Sequence, residues 1–303
     1  MQRYASFLNI AILIVNLLMM ISVGLSLERE HFRALAHRKG AILGLLTAQT
    51  VLLPLIGLLV VTLLSLPENV NAGILLLAAC PVGDIANFYS LLAKADTALS
   101  VSLNTASCML SVVTMPAVFA VYEFFQGDAF VFAVPPATLV AKLTLLVVMP
   151  LTAGMLLRWF SPILSARLAE PVRVGSLIGI VGLLIAVLTL QYDRLASDWR
   201  PTLAGAFLLM SGAMFAGLAL AAILRLPRRQ LVTVAITFPV RNIGLAVAIA
   251  VTFLGRVEYA AFAFVFFLVE VPLLLGLVGG YSRWFHDRGA ATNRVISSDA
   301  PES

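Results

Sequence analysis

The chain is a succession of continuous apolar runs separated by short polar loops. A run of about 20 apolar residues has the length of a helix that crosses a lipid bilayer. Hydrophobic residues make up 61% of the 303 residues and charged residues only 12%, which excludes an ordinary soluble domain. We therefore predict an all-α polytopic membrane protein with about nine transmembrane helices.

The loops between these runs are too short to hold a soluble domain, so residues 1–285 are expected to form a single membrane unit. The polar segment 286–303 is expected to be a disordered cytoplasmic tail. The predicted spans are Phe7–Leu27, Ala41–Leu66, Ala72–Ala93, Thr97–Phe124, Phe130–Trp159, Val172–Leu190, Pro201–Leu224, Leu231–Leu254 and Tyr259–Phe285.

The basic residues indicate the orientation of these spans. Of the 20 Lys and Arg residues, fourteen fall in loops on one side, four fall on the other, and Lys142 and Arg241 lie within spans. Cytoplasmic loops carry the excess of Lys and Arg. We expect an integral protein of the plasma (inner) membrane with its N-terminus outside and its C-terminus in the cytoplasm. The net charge of +5 thus fits membrane topology, and no nucleic-acid partner is expected.

Two spans are interrupted near their middle. The third contains the segment Cys80–Asn87 and the eighth the segment Pro239–Asn242, each with a proline beside ionisable and amide side chains. Proline breaks a helix, and such a break is tolerated in a membrane where it is buried in protein or lines a cavity. A charge at the depth of Arg241 costs about 2.5–3.5 kcal/mol or more. Paired broken helices in the two halves of a chain predict an inverted-repeat transporter whose substrate site lies where they cross.

A longer segment around the first break resembles a known family. Leu77–Pro116 contains Cys-Pro-x-Gly-x-x-x-Asn, then Leu-Ala-Lys-Ala-Asp and Ala-Leu-Ser-Val, and is similar to the core of the bile acid:sodium symporter family. The resemblance implies two inverted repeats divided into a panel and a core domain, with the first span of the family missing here. It implies panel-like spans in 7–66 and 130–190 and core-like spans in 72–124 and 201–285.

The resemblance also implies positions for a first sodium site. Asn87, Ser100 and Asn104 match ligand positions of the family and are the candidate sodium ligands. Two other positions of that site differ, because a serine of the family is replaced by Ala86 and a glutamate shared by both sodium sites is replaced by Thr237.

The second sodium site of the family would correspond to Gln49, Thr237 and Arg241. Arginine offers five donors and no acceptor, so it cannot coordinate sodium. We hypothesise that Arg241, beside Asn242, replaces the second sodium ion with a tethered charge. Asp84, at a position where the family has threonine, is its expected ionic partner, and the alternative is that the two form only a structural lock.

Three kinds of ion coupling remain open at this point. Transport could couple to protons if Asp84 titrates, it could be uncoupled, or it could keep one sodium site at Asn87, Ser100 and Asn104. Glu270, in the middle of the last span, is a further candidate for pairing with Arg241 or for relaying protons. No cofactor other than a sodium ion or a proton is expected.

The predicted function is secondary active transport of a small organic anion. Arg241 and the N-termini of the half-helices would attract a carboxylate or sulfonate, and one domain would move against the other in alternating access. An exporter of an oxyanion or a weak organic acid is the alternative. An intramembrane enzyme or a sensor subunit is less consistent with the chain, which has no recognisable catalytic motif or soluble output domain. The sequence indicates no oligomeric state.

Overall fold

The computed structural model describes residues 2–27, 39–64, 66–126 and 135–298, and these residues are mainly helical. The helices are α1 (Gln2–Leu25), α2 (Lys39–Leu64), α3 (Glu68–Ala79), α4 (Ile85–Leu92), α5 (Thr97–Gln126), α6 (Pro136–Phe160), α7 (Pro162–Leu190), α8 (Tyr192–Ser197), α9 (Trp199–Ile223), α10 (Arg228–Thr237), α11 (Ile243–Phe253) and α12 (Val257–Ser298).

Within the described ranges, seven helices are long and apolar enough to cross a membrane. The third and eighth predicted spans account for the rest, because each is divided into two shorter helices, α3 with α4 and α10 with α11. Large apolar side chains point outward from the helices, as Phe124 and Phe160 do with 83% exposure each. Such an apolar exterior is suited to lipid contact. The predicted all-α membrane fold with about nine spans is confirmed.

One group of helices consists of α1, α6 and α7, which pack against one another. The backbones of α1 and α6 approach closely, since a Cβ atom on Gly154 would lie 2.5 Å from the carbonyl oxygen of Ile21. Asn16 of α1 also donates a hydrogen bond to the carbonyl oxygen of Leu146 (2.9 Å). Small residues and amide side chains commonly hold membrane helices together in this way. We call these three helices the panel bundle.

The second group contains α2 to α5 and α9 to α12, and we call it the core bundle. Helix α2 packs against α3, α5 and α9. Its buried side chains, including Leu45 and Leu53, share an apolar cluster with Phe238 and Ala213. The span 41–66, which the sequence grouped with the panel, therefore packs with the core. The hydropathy of a run indicates that it can cross the membrane. It does not indicate which neighbouring helices its apolar faces contact.

The two interrupted spans run in opposite directions. The turn after α4 and the start of α10 meet on one side of the protein, where the side chain of Arg229 donates to the carbonyl oxygen of Lys94 (3.0 Å). Asp96 joins the same contact, with its N–H donating to Thr233 Oγ1 (2.9 Å) and its carboxylate accepting from Gln230 (3.1 Å). One interrupted span thus ends where the other begins, which is the inverted arrangement that the sequence predicted.

Several boundaries differ from the sequence expectations. Helix α6 begins at Pro136 rather than near residue 130, and proline is favourable in the first turn of a helix. Residues 127–134 lie outside the described part of the chain. Helix α12 continues past Phe285 to Ser298, into the segment expected to be a disordered tail. No proline interrupts residues 286–298, so nothing in that sequence forces the helix to end at the membrane.

Candidate binding site at the helix crossing

The breaks in the two interrupted spans lie against each other and pair through their backbones. Val82 and Arg241 form an isolated antiparallel bridge, and the N–H of Asn242 donates to the carbonyl oxygen of Pro81 (2.9 Å). A Cβ atom on Gly83 would lie 2.5 Å from the carbonyl oxygen of Arg241. Only glycine fits this approach, so Gly83 sets how closely the two segments cross.

The guanidinium of Arg241 binds carbonyl groups that the breaks set free. It donates to the carbonyl oxygen of Cys80, just after the end of α3, and to that of Phe238, just after the end of α10 (3.3 Å). The C-terminal end of a helix carries a partial negative charge. One buried cation therefore joins the C-terminal ends of both first half-helices, and only 5% of Arg241 is exposed.

Asp84 does not pair with Arg241, and that expectation is wrong. Its carboxylate accepts hydrogen bonds from Ser22 Oγ (3.3 Å) and from Asn87 Nδ2 (3.1 Å), and the described side chains form no ion pair between Asp84 and Arg241. Ser22 belongs to α1, so Asp84 links the core bundle to the panel bundle. Arg241 instead turns back toward the carbonyl groups of Cys80 and Phe238, which accept hydrogen bonds from its two terminal nitrogens, whereas its Nε has no hydrogen-bond partner among the described residues.

The candidate ligands of the first sodium site are only partly brought together. Asn87 Oδ1 accepts a hydrogen bond from Ser100 Oγ (2.8 Å), beside the carboxylate of Asp84. Asn104 lies one turn further along α5 and accepts from Cys108 Sγ instead (3.4 Å). Asn87, Ser100 and Asp84 therefore form one polar cluster, whereas Asn104 is not bonded to it.

The positions of the second sodium site do lie together. Gln49 Nε2 donates to the carbonyl oxygen of Thr237 (2.9 Å), and Gln49 and Arg241 both line a small cavity of about 20 Å³. The guanidinium brings a positive charge and no acceptor to this cavity. The residues present here do not fit a sodium ion.

The N-terminal ends of the second half-helices are less open to an anion than the sequence suggested. The side chain of Asn242 accepts a hydrogen bond from the N–H of Leu245 and so caps α11 (2.9 Å). Asp84 stands at the start of α4 and places a carboxylate there. Arg241 is therefore the stronger candidate anchor for an anionic group at the crossing.

A larger cavity of about 430 Å³ opens from the crossing between the two bundles. Asp84, Asn87 and Arg241 lie on its wall, and the panel bundle contributes Arg173 and Ser176. The remaining wall is mainly apolar and includes Met19, Ile85, Phe88, Leu91, Val101, Leu177, Ile180, Val181, Ile243 and Phe267. Two arginines and one aspartate give this wall a net positive charge.

Two residues of this region escaped the sequence analysis. Arg173 counted only as a loop cation, but it lines the cavity with its side chain 40% exposed and paired with Glu170 (2.8 Å). The i,i+3 spacing of Glu170 and Arg173 was a signal that could have suggested a defined position for it. Ser22 lies in an apolar run, and a lone serine there carries no such signal.

Glu270 is buried in α12 with 0% exposure. Among the described residues, neither of its carboxylate oxygens has a hydrogen-bond partner. Its principal charged neighbour is Arg241, with which it interacts electrostatically without direct contact. The sequence expected Glu270 near Arg241, and the two belong to one electrostatic environment.

Two broken helices that cross at mid-span, beside a cavity between two helix bundles, define an inverted-repeat membrane transporter. Residues 13–198 match the Sodium Bile acid symporter family. The chain belongs to this family, as the resemblance of the Leu77–Pro116 segment predicted, and the family consists of transporters rather than enzymes.

Several curated relatives of this chain have names that describe sodium-dependent transporters or cotransporters. The uncharacterized sodium-dependent transporter YocS of Bacillus subtilis (strain 168) is 26% identical over 77% of this chain and 71% of its own length. The probable sodium/metabolite cotransporter BASS1 of Arabidopsis thaliana chloroplasts is 28% identical over 78% of this chain and 58% of its own. Human sodium/bile acid cotransporter 4 is 34% identical, but over only 35% of this chain and 24% of its own.

The close approach at Gly83 generates a testable prediction. Gly83→Ala places a methyl group against the backbone of Arg241 and should separate the crossing segments, at a cost of about 1–3 kcal/mol in unfolding free energy. Thermal unfolding of the purified protein in detergent measures this change. Gly182→Ala is the matched control, because a Cβ atom there meets no atom within 4 Å. Equal stability of the two variants would contradict the assigned role of Gly83.

Proposed function

We propose that this protein is a secondary active transporter of a small organic anion in which Arg241 takes the place of one coupling sodium ion. The proposal rests on the hydrogen bonds that the guanidinium of Arg241 donates to the carbonyl groups of Cys80 and Phe238. In transporters with broken helices, free carbonyls and half-helix C-terminal ends are the groups that coordinate coupling cations. Here a side chain brings that positive charge permanently.

Loss of the shared glutamate supports the same proposal. A sodium ion at this place would need an anionic ligand, and Thr237 provides only a hydroxyl, which donates to Val234 O (3.4 Å). A guanidinium and a sodium ion in one small cavity would also repel each other strongly. Thr237 replaces a glutamate of the family and Arg241 replaces a glutamine. The two changes are complementary, because one removes a negatively charged sodium ligand and the other places a positive charge at the same site.

The first sodium position keeps part of its ligand set. Asn87 and Ser100 supply oxygens, and the carboxylate of Asp84 is close enough to accept from Asn87 (3.1 Å). We propose that this cluster binds at most one sodium ion, with Asp84 in place of the missing acid. Asn104 would join only after a rearrangement of α5.

The large cavity suggests the substrate class. Its wall is mainly apolar, with Arg241 at the crossing and Arg173 on the panel bundle. Sites of this kind bind molecules with an apolar body and a few polar groups that fix their orientation. We therefore propose an amphipathic carboxylate or sulfonate whose acidic group is attracted by Arg241 and whose apolar part contacts the cavity wall.

The position of the cavity supports an alternating-access mechanism. Thr97 and Ser26, which lie at helix ends, line it together with residues at the mid-span crossing. These ends adjoin the loops rich in Lys and Arg, so we propose that the cavity faces the cytoplasm in this conformation. Movement of the core bundle against the panel bundle would expose the crossing to the outside.

A ligand screen tests the substrate class. Purified protein would be heated with cholate, benzoate, succinate or taurine as representative acids, and with the uncharged alcohol benzyl alcohol as the apolar control. Binding stabilises the folded state by mass action, by about 2.7 kcal/mol at 100 times Kd. We expect stabilisation by an amphipathic acid and its flux in proteoliposomes; absence of flux for every acid would refute the proposal.

The dependence of thermal stability on sodium concentration tests the role of Arg241. The thermal stabilisation of the wild type by sodium should follow binding of no more than one ion. Arg241→Gln combined with Thr237→Glu should add a second sodium-dependent step, because it removes the tethered charge and restores an anionic ligand. Arg241→Gln alone is the control and should lack that step. A wild type that binds two sodium ions, or a double variant without the second step, would contradict the assignment.

Substrate binding tests the role of Arg173. Arg173→Gln should raise the Kd for the best acid of the screen roughly five-fold, equivalent to about 1 kcal/mol, because a half-exposed charge is screened by water. Arg167→Gln is the matched control, since Arg167 lies on the same helix with its side chain exposed and is not among the residues of the cavity wall. Titration calorimetry measures both, and equal Kd values for the two variants would argue against an anion contact at Arg173.

A further inference from the structure

Glu270 is an acid whose surroundings do not suit a fixed negative charge. It is fully buried, and within the described chain both carboxylate oxygens lack hydrogen-bond partners. A buried ion without hydrogen bonds is far more costly than a neutral polar group in the same place. In this position an ionised carboxylate depends on the charge of a neighbouring cation, whereas a protonated carboxyl does not.

Glu270 does not line the large cavity, but it lies close to a residue that does. Phe267 lines the large cavity and lies three residues before Glu270 on α12. Residues at this spacing share a helix face, so about one helical turn separates the acid from the cavity.

Two ionisable groups face Glu270 from the elements packed around α12. They are Arg241, next to the start of α11, and Tyr89 of α4. Helices α3, α7 and α9 also pack against α12. The charged residues of these three helices are Glu68, Arg167, Glu170, Arg173 and Arg200. Arg241, and none of these five, acts electrostatically on Glu270. Arg241 is thus the cation whose charge can compensate an ionised Glu270.

One buried cation cannot fully compensate two buried anions. Arg241 also faces the large cavity, where the acidic group of a substrate would approach it. We propose that Glu270 is the site of a cotransported proton, which it binds when the substrate anion takes the compensating charge of Arg241. This inference rests on the proposed function as an organic-anion transporter.

The resulting cycle balances protons and charge. With the site empty and Glu270 ionised, Arg241 and Glu270 compensate each other. A substrate anion that binds Arg241 leaves Glu270 uncompensated, so the carboxylate takes one proton from water in the cavity and becomes neutral. On the other side the anion leaves, the proton returns to water, and the compensated pair is restored. One anion and one proton therefore move in the same direction.

Infrared spectroscopy of the purified full-length protein tests the proton site directly. With saturating cholate at neutral pH, the wild type should show the C=O stretch of a protonated buried carboxyl, shifted in heavy water. Glu270→Gln should remove this band, and Glu258→Gln should retain it, because Glu258 lies at the start of the same helix in contact with Arg256 (3.3 Å). Asp84→Asn should also retain it. If cholate stabilises the wild type against heat but the band is absent, or if Asp84→Asn removes the band instead, the inference is overturned.

Proteoliposomes test the coupling. A pH gradient of one unit, acidic outside and without sodium, should drive about tenfold accumulation of labelled taurocholate by the wild type, since one pH unit carries the free energy of a tenfold concentration ratio. Taurocholate is a sulfonate that stays ionised, so it does not cross the bilayer as a neutral acid. Glu270→Gln should lose this accumulation but keep taurocholate exchange at equal pH, which requires no net movement of protons. Accumulation that survives in this variant would refute the proton role. Absence of taurocholate flux in the wild type would count against the proposed substrate class. The infrared measurement would then be repeated without ligand at decreasing pH, where a carboxyl band that Glu270→Gln removes would still identify Glu270 as the titrating group.

Discussion

The contact between the Arg241 guanidinium and the ends of two half-helices is the interaction on which the centre of the structure depends. Proline breaks α3 from α4 and α10 from α11, and each break leaves carbonyl groups without helical partners. Buried groups of this kind must be satisfied within the membrane. Arg241 donates to Cys80 and Phe238, one from each break, and its backbone pairs with Val82. A single residue thus stabilises both interruptions and fixes them against each other.

This arrangement changes the electrostatics of the family's transport site. A sodium ion can leave with the substrate, whereas a guanidinium stays with the chain throughout the cycle. The crossing is therefore positively charged even without substrate, and the free energy of that charge must be lowered by local groups. The carbonyl dipoles supply part of this compensation, and Glu270, the buried acid of α12, also interacts electrostatically with Arg241. In the mechanism that we propose, Glu270 takes the role of the acid that is absent at Thr237. Coupling then depends on how two anions, one fixed and one transported, share a single cation.

Much of the fold could be predicted from the sequence, because membrane spans and helix breaks depend on the hydropathy and the prolines of a short segment alone. The apolar runs gave the spans, and Pro81 and Pro239 marked the two breaks. The meeting of Gln49, Thr237 and Arg241 could be predicted from family positions. The partner of Asp84 could not, because the choice between Arg241 and Ser22 depends on the direction in which each side chain leaves the crossing. The grouping of α2 with the core was missed for a related reason: a helix that is apolar on all faces does not reveal in its sequence which face meets which neighbour.

The distribution of charge between the two bundles connects the site to movement. Arg241 and Asp84 belong to the core, whereas Arg173 and Ser22 belong to the panel, and all but Ser22 line the large cavity. An anion held between Arg241 and Arg173 therefore contacts both bundles in this conformation. If the core moves relative to the panel, the contact with Arg241 can persist while that with Arg173 and the Asp84–Ser22 hydrogen bond are lost. A ligand shifts a conformational equilibrium only through such differences in its interactions with the two states. In the mechanism that we propose, the pair of arginines on opposite bundles supplies this difference, so the charge that attracts the substrate also determines which conformation it favours.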